Sequence, residues 1–426
     1  MALSEQEYYE MQAEKEREER ETYSFENRVI HGFYIDQYGI RRDPNGNDED
    51  TESIFEAEDI DHYGRPKIPT GIQQIDDILY GGLSSGLTVI SGAEGKGKTT
   101  VVEQIISNFL IDERKRKIDG KDPWTNGVLI ISPEMPTVDV KRVMMHQLAD
   151  PSHIVIDERT KNPAFPWYKI QDLEKRRLKE LYGQELYLQR TRMTPDGRQR
   201  VMAAMEAKAA LGCKVQVADN LMSLTAIWAC DPAYRGQSEI AIQGAISAWL
   251  AEFAARTGSW VFLIAHTRKQ TAGFQADNAA DDISGSSVTK NTATQILSYR
   301  VLTEKEIKYH RDGVFNAKGE RKKDPATGMP LGGQYPKIDA EARSIRLIKN
   351  RNFGKWSKEV ITTYDPARYR VYEYGKKPVI GVRHGSGVDY VILESTDKNK
   401  FDEYNSKQGP AWRPFKMPTD GDRTIE

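Results

Sequence analysis

Cysteine is nearly absent: Cys213 and Cys230 are the two in 426 residues. That scarcity excludes a disulfide-stapled scaffold, and it excludes a multi-cysteine zinc site unless histidines supply the remaining ligands. Both lie near expected strand ends, where buried free thiols are expected. An excess of charge of either sign is lacking too, with 61 Lys+Arg against 63 Asp+Glu and a net charge of −2. No global basic field draws in nucleic acid, so any such contact has to be local, as in a channel. No run approaches the roughly eighteen apolar residues of a membrane span. The N-terminus is acidic and Glu-rich, with neither an apolar signal core nor Arg-rich transit character, so the expected location is cytoplasmic. No internal repeat is visible.

What the chain does contain is a complete phosphate-loop motif. Gly92-Ala93-Glu94-Gly95-Lys96-Gly97-Lys98-Thr99, followed by Thr100, fits G-x-x-x-x-G-K-[ST] at every fixed position. Leu87 to Ser91 reads as a buried strand running into it. Val102, Ile105, Ile106, Phe109 and Leu110 fall at helical spacing behind it. Glycines at 92, 95 and 97 let successive N–H groups face one point, and the helix adds the positive end of its dipole there. Lys98 is then placed for the β- and γ-phosphates and the Thr99 hydroxyl for Mg²⁺. The expected ligands are ATP, or another NTP or dNTP, and Mg²⁺.

Residues 1–65 read as a charged helix, Glu5 to Glu21, and an acidic linker. From about Pro66 to residue 375, strands and helices alternate, which predicts an α/β domain with a mainly parallel sheet flanked by helices. Strands are expected at Val128 to Ile131, Leu186 to Gln189, Val215 to Asp219 and Trp260 to His266. Helices are expected at Thr137 to Leu148, Lys169 to Tyr182, Gly197 to Leu211 and Gln237 to Arg256. Four later segments, Thr294 to Val301, Ser344 to Lys349, Glu359 to Tyr364 and Arg368 to Glu373, come without helices between them and read as antiparallel edge strands. Two long polar stretches, Thr267 to Ser287 and Tyr309 to Ile338, are functional or mobile. Residues 376–426 form a C-terminal extension and tail.

Further chemistry sits at the expected strand ends. Asp219 closes the apolar strand Lys214 to Ala218, where it either caps the strand or holds the Mg²⁺ water shell; with the phosphate loop upstream, the metal role is favoured. Glu134, just past Ile130-Ile131-Ser132-Pro133, is either an acid near a helix start or the base for an attacking water. His266 ends the strand from Trp260, either as a neutral hydrogen-bonded residue or as a contact to the γ-phosphate. Lys349 and Arg351 alternate to one face of a late strand end. They either solvate the surface or neutralise transition-state charge.

Taken in order, these segments resemble a known family. They are Ile68-Pro69-Thr70-Gly71-Ile72 with Ile75-Asp76, Tyr80-Gly81-Gly82-Leu83, the phosphate loop, Ser132-Pro133-Glu134-Met135, Asp219-Asn220, His266, Gly285-Ser286 and Lys349-Asn350-Arg351. The set resembles the RecA-like P-loop NTPase core of the DnaB-like (superfamily 4) replicative DNA helicases, particularly the phage and Twinkle types, over roughly residues 66 to 374. The resemblance implies a ring, expected to be a homo-hexamer, that moves 5′ to 3′ on single-stranded DNA and unwinds duplex by ATP hydrolysis. By it, Glu134 is the catalytic base, His266 the γ-phosphate sensor, and Arg351, with Lys349 assisting, a finger into the neighbouring subunit's site. Arg268, Lys269, Gly285, Ser286 and Lys290 would face DNA. The chain departs from the family pattern at Ser284, where many relatives carry a basic residue, and at Thr294, where others carry Asp. A separate primase and polymerase, and a helicase loader, are the implied partners, and the location would be host cytoplasm for a phage protein. Two alternatives stay open. One is a RecA/RadA-type recombination or repair ATPase, since Lys-Asn-Arg followed by Phe353-Gly354 also resembles that signature. The other is a nucleotide-gated scaffold on single-stranded DNA.

Overall fold

The structure is a computed structural model. It describes residues 34–35, 41–42, 67–133, 135–162, 166–266, 287–316, 318–325, 328–335, 338, 342–351, 359–374, 379–384 and 387–392. The chain divides into two compact units, Met1–Asp61 and His62–Glu426. In the first, Tyr34–Ile35 pairs antiparallel with Arg41–Arg42; the helix expected over Glu5 to Glu21 lies outside the described residues.

The second unit is organised by a nine-stranded sheet. In chain order its strands are β1 (Gly86–Gly92), β2 (Val128–Ile131), β3 (Leu186–Gln189), β4 (Val215–Ala218), β5 (Trp260–His266), β6 (Gln295–Val301), β7 (Arg343–Asn350), β8 (Glu359–Asp365) and β9 (Arg370–Glu373). Across the sheet the order is β9, β8, β7, β6, β1, β5, β4, β2, β3. From β6 to β3 all neighbours are parallel; β7, β8 and β9 are added antiparallel. The α/β class with antiparallel edge strands is the one expected.

The helices are α1 (Gln73–Ile78), α2 (Lys98–Ile118), α3 (Thr137–Leu148), α4 (Asp172–Tyr182), α5 (Gly197–Ala210), α6 (Leu221–Ala229), α7 (Glu239–Thr257), α8 (Ser287–Thr292) and α9 (Glu304–Asp312). Alternation along each strand sorts the core into two faces. Trp260, Phe262 and Ile264 of β5 join Ile90 of β1 and Val102, Ile105, Ile106 and Phe109 of α2. The intervening Val261, Leu263 and Ala265 join Leu87, Val89 and residues of α6 and α7, including Trp228 and Phe253. Strands covered on both sides read as unbroken apolar runs, which is why β5 was visible from composition alone.

Several expectations fail locally. Thr294 to Val301 is no antiparallel edge: β6 runs parallel to β1, with Gln295 opposite Thr88. It turns antiparallel only toward β7. The short α8 just before it precedes entry beside the amino end of β1, so the pairing is that of a helical crossover. The four late strands are not free of helices either. Between β6 and β7 lies α9, where Thr303 accepts from the Glu306 amide and Glu306 reaches back to the Thr303 amide, a closed capping box. The α6 helix was also unforeseen, because in Leu-Met-Ser-Leu-Thr-Ala-Ile-Trp-Ala the exposed side, Met222 and Ala229, is as apolar as the buried one, so no polar stripe marks the period. Residues at the start of the helix expected from Lys169 instead pair as the hairpin strand Tyr168–Ile170 with Ile154–Ile156. Cys213 is buried as expected, but Cys230 is exposed, at the carboxyl cap of α6.

A polar network fixes the helix behind the phosphate loop. Gln104 of α2 pairs with both main-chain groups of Val371 in β9, Nε2 donating to the carbonyl at 2.8 Å and Oε1 accepting from the amide at 2.6 Å. Arg370 donates to Asn108 Oδ1 at 2.6 Å, and Asn108 donates to the Thr70 carbonyl at 3.3 Å. Thr70 is held by Asp76, whose Oδ1 accepts from its amide and hydroxyl, each at 2.7 Å. These groups are buried, and leaving any of them unpaired costs about 1–3 kcal/mol. The motif residues Thr70 and Asp76 thus serve to seat α2.

Candidate functional site

The parallel register brings strand ends together. His266, last in β5, stands opposite Gly92, last in β1. Asp219 follows Ala218 of β4, which pairs with Ile131 of β2, and its amide donates to the Ile131 carbonyl at 2.9 Å. β1 is flanked by β5 on one side and β6 on the other, while the chain leaving α2 returns further out at β2. The loop after β1 therefore opens at a switch point of the sheet, where open α/β sheets place their ligands.

The loop backbone is shaped by two glycines in particular. Gly97 caps α2 at φ 90°, in the left-handed region. At Gly92 a Cβ would stand 2.1 Å from the Tyr299 carbonyl oxygen, so only glycine lets β6 pass this close. Between them Ala93, Glu94, Gly95 and Lys96 are exposed, while Lys98 turns inward and is buried. Its Nζ donates to the Ala93 carbonyl at 2.7 Å and lies 3.1 Å from His266 Nδ1. Burial lowers the Lys98 pKa to about 8, against the opposing pull of the Asp219 and Glu94 charges. An ammonium beside the N-terminus of a helix has the charge and donors that phosphate oxygens accept from.

Thr99 Oγ1 lies 3.4 and 3.5 Å from the two Asp219 oxygens, and Ser132 Oγ lies 3.4 Å from Asp219 Oδ2. A hydroxyl and a carboxylate are the hard oxygen donors Mg²⁺ takes, and it completes its octahedron with water and phosphate oxygens. The donor set fits that ion. Thr100, next on α2, is half-buried, and its carbonyl accepts from Gln147.

Other expected residues lie elsewhere. Glu134 falls outside the described residues, between Pro133 and Met135, whose amide donates to Ser132 Oγ at 3.2 Å. Arg268, Lys269, Gly285 and Ser286 are likewise outside. Lys290 is half-buried on α8. Lys349 Nζ donates to the Lys290 and Asn291 carbonyls, the latter at 3.0 Å, and Arg351 donates to the Asn291 carbonyl. Both cations thus sit at the carboxyl end of α8, the favourable end of its dipole. Burial, with the Arg351 charge adding to it, lowers the Lys349 pKa.

Some neighbours of the loop escaped sequence reasoning. A Cβ on Gly97 would stand 3.5 Å from Arg343 Nη1 and 3.7 Å from Tyr299 Cε1. Arg343 of β7 donates to the Tyr299 hydroxyl at 3.3 Å, and its guanidinium lies 5.8 Å from the centre of the Tyr364 ring. Flat cationic and aromatic groups thus flank the loop. Nothing in the sequence marks them, since Arg and Tyr are ordinary strand residues and they arrive from β6, β7 and β8. Glu103 was missed as well, a carboxyl group itself buried on the inner face of α2. An acid in the middle of Val101-Val102-Glu103-Gln104-Ile105-Ile106 was a legible signal.

The sequence matches no protein-family model and no curated protein. Among solved structures it is similar to a KaiC-like protein from the hyperthermophilic archaeon Pyrococcus horikoshii OT3, at 14% identity over 73% of this chain and 99% of that one, with a TM-score of 0.41. It is similar also to a DnaB-like replicative helicase, described with its interactions with primase, at 14% identity over 75% and 68% of the two chains, with a TM-score of 0.47. A further structure, described as an ATPase domain, aligns at 13% identity over 75% and 94%, with a TM-score of 0.46.

Proposed function

We propose that this chain hydrolyses ATP and uses the energy to move along single-stranded DNA, as a ring-forming 5′ to 3′ replicative helicase motor. The observation that carries the ATPase part is the convergence of Lys98, Thr99, Asp219 and His266 at the carboxyl ends of β1, β4 and β5. Lys98 exchanges its neutral loop carbonyl for the β- and γ-phosphates, whose negative charge its ammonium offsets. His266, in contact with the same ammonium, registers whether the γ-phosphate is present. Thr99 and Asp219 would hold the cation, which would supply positive charge to offset that developing on the phosphate oxygens. Glu134 takes the proton from the attacking water. Support for the helicase part comes from the ordered motif set, including Lys349 and Arg351 near a strand end where a neighbouring copy would be met.

The test is a forked duplex with a 5′ single-stranded tail, assayed alongside ATP turnover and particle mass. ATP-dependent unwinding, turnover stimulated by single-stranded DNA and a mass several times that of one chain are expected. Strand exchange without unwinding would instead favour the RecA/RadA-type reading suggested by Lys349-Asn350-Arg351 with Phe353-Gly354. Full function in Glu134→Gln would favour the nucleotide-gated scaffold.

A further inference from the structure

Glu103 takes no part in the hydrogen bonds of Lys98 to Ala93 and His266 or of Thr99 to Asp219, yet its position is unusual. It lies on α2 four residues after Thr99, and helical residues at that spacing share a face. Helical side chains also lean toward the N-terminus, so Glu103 covers the turn that carries the Thr99 hydroxyl. The next turn on the same side, Ser107, meets Gln147 of α3 at 3.0 Å, which closes the far end against solvent. Glu103 is only 3% exposed. Neither of its carboxyl oxygens has a hydrogen-bond partner among the described residues. Burial, with the Asp219 charge adding to it, pushes its carboxyl up to about 9. Leaving a buried carboxyl unpaired costs more than replacing it with an apolar side chain of similar size. Leucine would match the buried Val101, Val102, Ile105 and Ile106 beside it. An acid there calls for a counter-charge that arrives from outside.

On the reading of the site as a nucleotide and cation centre, we propose that Glu103 is a second carboxylate of that centre, a positioning residue whose free oxygens accept hydrogen bonds from the water shell of the divalent cation held by Thr99 and Asp219. The geometry favours an outer-sphere role. Thr99 and Asp219 already meet at 3.4 Å, and Glu103 stands one turn behind them. Mg²⁺ and Mn²⁺ keep several waters when bound beside phosphates, and the partners that orient such shells typically change metal affinity 10- to 100-fold.

The experiment measures binding, not turnover. Wild type, Glu103→Gln and Glu103→Leu are titrated with ADP in EDTA, and then with Mn²⁺ at saturating ADP, following the Mn²⁺ by electron paramagnetic resonance. Thermal unfolding reports on folding. Both variants should fold and bind metal-free ADP within about twofold of wild type, while Mn²⁺ affinity of the ADP complex falls at least about tenfold. Unchanged Mn²⁺ affinity in the folded variants overturns the proposal. Equal weakening of metal-free and metal-loaded ADP binding also overturns it, because that is the mark of a purely structural role. Failure of wild type itself to bind ADP and Mn²⁺ would sink the nucleotide-site reading beneath it, and is distinguishable from either result.

Discussion

Lys98 is held in two ways at once, by the Ala93 carbonyl and beside His266, in a pocket that lowers its pKa to about 8. Replacing it removes the cation buried at the end of the phosphate loop, so Lys98→Ala should abolish phosphate release from ATP. Release at the wild-type rate by the purified variant would refute the site. Glu103 gives a second test at this scale, through pH. Its folded pKa of about 9 lies above the ordinary Glu value of 4.5. The folded state therefore holds a proton that the unfolded chain gives up, and stability present below pH 4.5 is lost as pH rises toward 9. In nucleotide-free protein, the melting temperature of Glu103→Gln should fall less steeply between pH 6 and pH 9 than that of wild type. Parallel slopes would show that Glu103 is already ionised.

Elements carry different consequences from those of single contacts. β5 presents Phe262, fully buried, to the α2 side of the sheet, and truncating a core phenylalanine leaves a cavity in close-packed surroundings. Phe262→Ala should cost about 3–5 kcal/mol, read from chemical denaturation. At the other end of the scale, α9 depends on its cap. Thr303→Ala should destabilise that helix by about 1 kcal/mol, visible as faster amide exchange in residues 304–312. Burial opposes ionisation of Glu306, but bonds from Arg300 and Thr303 outweigh it and bring its pKa down to about 2. With the folded value depressed, its contribution is complete above pH 4.5 and fades as pH falls toward 2. Amide protection of α9 in wild type should follow that window; a loss centred near neutral pH would point to some other group.

At the scale of the whole molecule, Lys349 and Arg351 matter for what happens when copies meet. In the single chain both are engaged by carbonyls at the end of α8. α8 follows the segment 267–286, which contains most of the expected DNA-contacting residues. If Arg351 completes a neighbour's site, Arg351→Ala should be inactive alone and should depress activity in mixtures with wild type below simple proportion. Activity that merely scales with the wild-type fraction would leave each copy self-sufficient.

The sequence by itself determined the phosphate loop, the strands that flank it and the α/β class, because these are local. A loop needs its glycines at fixed offsets, and a strand buried on both faces must be apolar throughout. Asp219 and His266 were legible for the same reason, as polar residues ending apolar runs. Only the tertiary structure decided that β6 lies parallel beside β1, since pairing partners far apart in sequence leave no mark on a short strand. The α6 helix stayed hidden because its exposed positions, Met222 and Ala229, are apolar as well, which erases the helical period in the sequence. Arg343 and Tyr299 became neighbours of the loop, and Tyr364 of Arg343, only through the order of the strands. Glu103 was visible as a letter, but its meaning came from being buried near the Asp219 charge with no hydrogen-bond partner among the described residues.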